Sequence, residues 1–147
     1  MKSGFRWITP PSELGKAIEE YGKNLLIAVH AAAVYVGQRM QNDGRTGASW
    51  EDRTGNARSG LFFAVDGFGL GTVMGAVTAG AEGEKSDTVT VSGSPERLIL
   101  TFGHTVYYGK YLELAHGGRY AIVMSTIERN LPTLERLLNE AVQKGRI

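Results

Sequence analysis

The sequence predicts an α+β fold: a long N-terminal helix and a C-terminal helix packed on a small antiparallel β-sheet, with a long Gly-rich loop or hairpin. Three observations carry that expectation. Apolar or small residues step by four and three from Leu14 through Ile18, Tyr21, Leu25, Ala28 and Ala32 to Tyr35, the spacing of one helix face. A second stripe, Ile127, Leu131, Leu134, Leu138 and Ala141, lies near the other end. Between them stand short β-rich runs, Thr88-Val89-Thr90-Val91 and Leu98-Ile99-Leu100-Thr101-Phe102, the first alternating at period two.

The first helix is expected from about Ser12 to Met40. Ser12 follows two prolines and suits an N-cap, and Glu13 suits the positive end of the helix dipole. A second apolar line, Ala17, Leu26, Val29 and Val36, widens the seam. The half from Leu26 to Val36 is therefore a candidate contact with another subunit. From Gln41 to Trp50 the pattern gives way to turn chemistry, Asn42-Asp43-Gly44 and Thr46-Gly47. A short helix capped by Thr54 is expected over about Asn56–Ala64, with Ala57, Leu61 and Phe62 turned inward. Residues 67–83 hold six glycines and one charge, Glu82, with no clean period. That stretch reads as a flexible segment, ordered only on assembly. The turn cluster Ser92–Glu96 joins the two β-rich runs as an antiparallel hairpin. Tyr107–His116 reads as a short helix ended by Gly117-Gly118. The last helix is expected over about Met124–Lys144, with Pro132 kinking or restarting it and Asn130 as a local cap.

Composition sets the class. With 147 residues, 42% hydrophobic and 21% charged, the chain suits one globular domain over 1–147, carrying an N-terminal arm over 1–11. Sixteen basic against fifteen acidic side chains leave a net charge of +1, so no whole-protein field steers it to nucleic acid or acidic lipid. Zero cysteines exclude disulfides, thiolate metal sites and thiol catalysis. No signal-peptide core follows Met1–Pro11, and no apolar run approaches the ~20 residues of a membrane span, so a soluble intracellular product is expected. Twenty glycines are about twice the ~7% usual in proteins.

Motifs for catalysis are thin. Of the three histidines, His30 falls inside the long helix as a packed residue, and His116 stands three residues after Glu113. Glu-x-x-His serves di-iron bundles only in pairs with further carboxylates, so no metal is expected. No serine occupies a Gly-x-Ser-x-Gly elbow. Gly69-Leu70-Gly71 with Gly75, and Gly109-Lys110, miss the dinucleotide and P-loop spacings, so no cofactor is expected. A small hydrolase using His104 or His116 is the weakest reading. Arg39, Arg45, Arg53 and Arg58 surround Trp50, a combination that can grip phosphates and bases. Asp43, Glu51 and Asp52 cancel most of that charge. The alternative function is thus a small nucleic-acid-binding accessory protein using the Arg39–Arg58 segment.

Two segments suggest contacts. In Trp50–Leu61, Asp52-Arg53 beside Thr54-Gly55 combines a charge pair, a cap and a permissive turn, with an aromatic anchor alongside. Downstream, Tyr107, Tyr108, Tyr111 and Tyr120 surround Glu113 and Arg119, and tyrosines are enriched at buried protein surfaces.

The run Trp50-x-Asp52-Arg53-Thr54-Gly55-Asn56-x-Arg58-Ser59-Gly60-Leu61 resembles the signature of the tailed-bacteriophage neck family, the head–tail joining, tail-completion or minor tail proteins. Its Tyr-x-x-Tyr-hydrophobic-Glu box is matched by Tyr108-Gly109-Lys110-Tyr111-Leu112-Glu113. The order and spacing agree over roughly residues 10–144. Many members continue the box with an aromatic, a Gly and a Thr, where Leu114-Ala115-His116-Gly117-Gly118 stands here; others open the last helix with a Pro, where Tyr120-Ala121-Ile122 stands. Those departures place the chain in a different subgroup of the resemblance.

The resemblance implies a non-enzymatic structural virion protein with no cofactor. It forms a homo-oligomeric ring, commonly a hexamer, between the portal or adaptor proteins of the connector and the tail terminator or tail tube. DNA passes through the lumen without sequence-specific binding, and no membrane is involved. The implied location is the virion neck, and the host cytoplasm before assembly. The residues it assigns to subunit or partner contacts are Trp50, Asp52, Arg53, Thr54, Arg58, Tyr108, Tyr111, Glu113 and Tyr120. A ring of identical subunits needs two different adhesive surfaces on each chain. The helix half Leu26–Val36 and the tyrosine box are the candidates for those surfaces.

Overall fold

A computed structural model describes residues 11–47, 61–75, 93–104, 113–114 and 121–144. It contains helix α1 (Pro11–Gly47), strands β1 (Leu61–Gly67), β2 (Thr72–Met74) and β3 (Leu98–His104), and helix α2 (Val123–Lys144). The strands form one antiparallel sheet in the order β2-β1-β3, with the helices packed against it. This is the α+β architecture expected from the sequence: a long first helix, a C-terminal helix and a small antiparallel sheet.

The first helix is seven residues longer than its expected end at Met40, because its final turns lie against the sheet. Gly44 is buried in α1 rather than in a turn; a Cβ there would meet Leu61 Cδ1 and a Phe102 ring carbon, each at 3.0 Å. Gln41 Nε2 and Arg45 Nη2 donate to the Leu61 carbonyl at 3.0 and 3.2 Å, tying that end of α1 to the start of β1. Local turn propensity at Asn42-Asp43-Gly44 gives way to this packing.

The expected helix over Asn56–Ala64 is overturned for its described part. Leu61–Ala64 belongs to β1, the central strand, and every residue from Leu61 to Val65 is buried. A strand covered on both faces carries a continuous apolar run with no period of two, so its sequence does not declare its conformation. Leu61, Phe63 and Val65 join Ala33, Val36 and Met40 of α1, Phe102 of β3 and Ile122 in the core.

β3 pairs with β1, with Phe63 opposite Phe102 and Val65 opposite Leu100. The partner expected for it, Thr88–Val91, lies outside the described residues. Of the Gly-rich segment, residues 67–75 form an ordered hairpin: β1 turns through residues 68–71 into β2, with Asp66 opposite Thr72. Gly67 takes φ 136°, and a Cβ there would collide with the Arg97 carbonyl, so glycine is required at that position. Residues 76–83 lie outside the description.

Asp66 locks this hairpin to the approach of β3. Its Oδ1 accepts from Thr72 Oγ1 at 2.6 Å and its Oδ2 from the Gly93 amide at 2.7 Å. The Thr72 hydroxyl first, then the Gly93 amide, hold its pKa below the ordinary 3.8. A depressed carboxylate pKa stabilises the folded state above the ordinary value, and that contribution is lost as pH falls through the lowered one. Asp66→Asn is therefore expected to lower Tm at pH 7 but progressively less below about pH 4, as thermal melts of both proteins across that range will show. A constant difference down to pH 2 would exclude the carboxylate as its source.

α2 matches its expected span within one residue and continues through Pro132. Asn130 does not cap a restarted helix. It is 1% exposed, and its Nδ2 donates to the Thr126 carbonyl at 2.8 Å and to Asp43 Oδ2 of α1 at 2.9 Å. The buried face is also rotated from the expected stripe: Val123, Ile127, Leu134 and Leu137 pack on the core, whereas Leu131 is 47% exposed.

Candidate functional site

Of the resembling motifs the structure describes Leu61, which opens β1, and Glu113, which holds a junction together. Glu113 belongs to a helical pair with Leu114, between the end of β3 and the start of α2. Its Oε1 lies 2.8 Å from His104 Nε2, on the last residue of β3. Both carboxylate oxygens accept from the backbone amides of Ile122 and Val123, at 3.0–3.2 Å. Those amides open α2, where the first N–H groups have no acceptor within the helix. A carboxylate there also faces the positive end of the helix dipole. Glu113 is thus an N-cap supplied from nine residues upstream, and it pins β3 to α2 through the His104 ring.

The pin is nearly enclosed, with the His104 side chain 7% and the Glu113 side chain 19% exposed. With both oxygens engaged, this carboxylate is placed to organise backbone rather than to take a proton from a substrate. Leu114, the neighbouring residue, is 80% exposed.

Trp50, Asp52, Arg53, Thr54, Arg58, Tyr108, Tyr111 and Tyr120 lie outside the described residues, as does His116. Of the arginine cluster, Arg39 donates to Thr133 Oγ1 at 3.4 Å and Arg45 to the Leu61 carbonyl. Burial lowers the Arg45 pKa from the ordinary arginine value. His30 is half-buried within α1, and its Nε2 has no hydrogen-bond partner among the described residues. Among the described residues no group of three or more His, Asp or Glu side chains is placed to hold a metal ion, and no helix is long and apolar enough to cross a membrane.

The second notable surface is on α1. Buried positions of this helix, Ala32, Ala33, Val36, Gly37, Met40, Gln41 and Gly44, all fall in its second half. In the expected seam, Leu14 is 40%, Ile18 53% and Tyr35 53% exposed, and Ile27, on another face of the helix, is 55% exposed. The heptad pattern marks a helix with more apolar surface than its own domain covers. Tyr21 Oη, near where α2 ends, meets the Val142 carbonyl at 3.5 Å.

The Glu113 cap was missed by sequence reasoning because capping signals are sought immediately before the helix. A glutamate nine positions upstream is joined to it only by tertiary folding. Against models of protein families, curated proteins and solved structures, the chain shows no match.

Proposed function

We propose that this chain is a structural protein of the tailed-phage neck, a subunit of a ring that joins the head connector to the tail and lets DNA pass. The sequence motifs supply the neck assignment. The observation that carries an assembly role is the set of exposed large apolar side chains, Leu14, Ile18, Ile27 and Tyr35, spread over more than one face of a 37-residue helix. At 1.5 Å per residue that helix is about 55 Å long. Large apolar side chains left in water along such a rod suit contacts with neighbouring subunits. The Glu113 pin supports the same reading, since the glutamate of the tyrosine box serves as scaffold between β3 and α2. Of the alternative nucleic-acid segment, Arg39 and Arg45 donate to Thr133 and Leu61, while Trp50, Arg53 and Arg58 lie outside the described residues.

Deleting the gene from a phage that encodes this chain is expected to give DNA-filled heads and separate tails, counted by negative-stain microscopy. Immunogold labelling should place the protein at the head–tail junction of wild-type particles. Fully infectious particles from the deletion would overturn the proposal.

A further inference from the structure

α1 and α2 run antiparallel, with Tyr21 beside Val142 and Asp43 beside Asn130. Along much of this seam the side chains are small: Ala28, Ala31 and Ala32 of α1 and Ala141 of α2 line an open groove between the helices. Register between packed helices comes from side chains of one seated between those of the other, and alanines offer little to seat. A smooth seam of this kind fits nearly as well when one helix is displaced by a turn, about 5.4 Å. Two of the polar contacts across it are poor locks. Tyr21 Oη meets the Val142 carbonyl at 3.5 Å and Arg39 Nη1 meets Thr133 Oγ1 at 3.4 Å, both long and exposed, so water readily replaces either partner.

The third contact differs. Asn130 is 1% exposed and interrupts the apolar face made by Ile127, Leu134 and Leu137. Its Nδ2 donates to the Thr126 carbonyl of its own helix at 2.8 Å and, across the seam, to Asp43 Oδ2 at 2.9 Å. Its Oδ1 is buried too, with no hydrogen-bond partner among the described residues. A leucine there would continue the apolar face and leave no acceptor unmet, so the asparagine is costly as packing. What it supplies is a directional bond satisfied at one alignment. Arg39 faces Thr133, and a Cβ on Gly47 would lie 3.7 Å from Arg129 Nη2. On that alignment a slip of one turn brings Asp43 against Leu134 in one direction and Thr126 in the other. Leu134 has no donor, and the Thr126 hydroxyl is one bond shorter in reach than the asparagine amide. In both slipped alignments the buried Asn130 amide loses Asp43. We infer that the Asn130–Asp43 bond sets the register of α2 on α1, excluding slipped alignments that the alanine seam would otherwise admit, at a cost in stability. A buried asparagine fixes alignment in coiled coils by the same physics. This lock goes beyond the neck reading and does not depend on it.

A chain without cysteine makes the test direct. Spin labels on Asn42→Cys and Gln143→Cys, both at exposed positions, read the alignment. The two sites are separated mainly along the helix axes, because Gln143 lies about 20 Å beyond Asn130 on α2. The labelled parent protein is expected to give one distance in double electron–electron resonance. In Asp43→Leu/Asn130→Leu a second distance should appear, displaced by about 5 Å, with Tm unchanged or raised. Asp43→Ala/Asn130→Ala removes the same bond without adding bulk, and should also give both distances, at a lower Tm. Asp43→Asn keeps an oxygen acceptor for Asn130 Nδ2 and should keep the single distance. A single parental distance in either folded variant that lacks the bond overturns the lock, as does a second distance in Asp43→Asn. Loss of the folded state in both double variants, seen by circular dichroism, would make the pair a support of the fold rather than of its alignment, and overturns the lock as well.

Discussion

Phe63→Ala is expected to lower the unfolding free energy by about 3–5 kcal/mol, read from denaturant titration with the m-value unchanged. Phe63 is 2% exposed at the middle of β1, and its ring fills the space that two glycines leave. A Cβ on Gly75, just after β2, would lie 2.6 Å from Phe63 Cε1 and 2.5 Å from Gln41 Oε1. A Cβ on Gly37 of α1 would collide with the ring and stand 3.0 Å from Leu100 Cδ1. Helix and sheet thus meet where one aromatic ring is received by two residues without side chains. It follows that Gly37→Ala destabilises by about 1–3 kcal/mol through overpacking. An alanine elsewhere in a helix interior would gain roughly 0.5–1 kcal/mol over glycine. Adding Phe63→Leu to Gly37→Ala should recover part of the loss, with a coupling energy above about 0.5 kcal/mol in the double-mutant cycle. Strict additivity, or a Gly37→Ala protein more stable than wild type, would show that the ring is not seated against α1.

Removing the carboxylate of Glu113 should cost nearly as much. Loss of a helix cap costs about 0.5–2 kcal/mol, and hydrogen bonds to charged groups contribute about 1.5–3 kcal/mol. Glu113 does both, toward Ile122, Val123 and His104. Glu113→Ala is expected to destabilise by about 2–4 kcal/mol, and Glu113→Gln by less, because the amide keeps one oxygen acceptor. Hydrogen exchange at the Ile122 and Val123 amides should accelerate more than at Thr126, whose amide bonds to the Ile122 carbonyl. Leu114→Ala, at the exposed neighbour, supplies the reference and should stay within about 0.5 kcal/mol of wild type. If Glu113→Ala unfolds like Leu114→Ala, the pin contributes nothing.

What the sequence revealed depended on how far each signal reaches along the chain. Both long helices were legible because Leu14–Tyr35 and Ile127–Ala141 repeat at helical spacing over several turns. The end of α1 was not, since Asn42-Asp43-Gly44 has turn chemistry and only the approach of Leu61 and Phe102 makes a buried helical glycine useful. β1 was concealed by its burial on both faces. The pairing of Leu98–His104 with Leu61–Gly67 was not foreseen, because the strand lies far upstream and no local signal links the two; the expected hairpin partner, Thr88–Val91, lies outside the described residues. Asn130 carries a cap-forming side chain, yet Asp43 on the other helix captures it. In the candidate site, Glu113 was identified by its motif, but its work as a cap depends on His104, Ile122 and Val123 converging on it.

The Glu113 pin also divides the passage from His104 to Ile122. Eight residues, 105–112, lie on one side of it and eight, 114–121, on the other. Instead of one long excursion, the chain has two short ones, each tethered at both ends. Changing the length of a span tethered at both ends alters closure entropy only slowly. Tyr108 and Tyr111 belong to the first and Tyr120 to the second. The tether therefore divides the chain here into two spans whose lengths can change independently while the junction of β3 and α2 stays fixed.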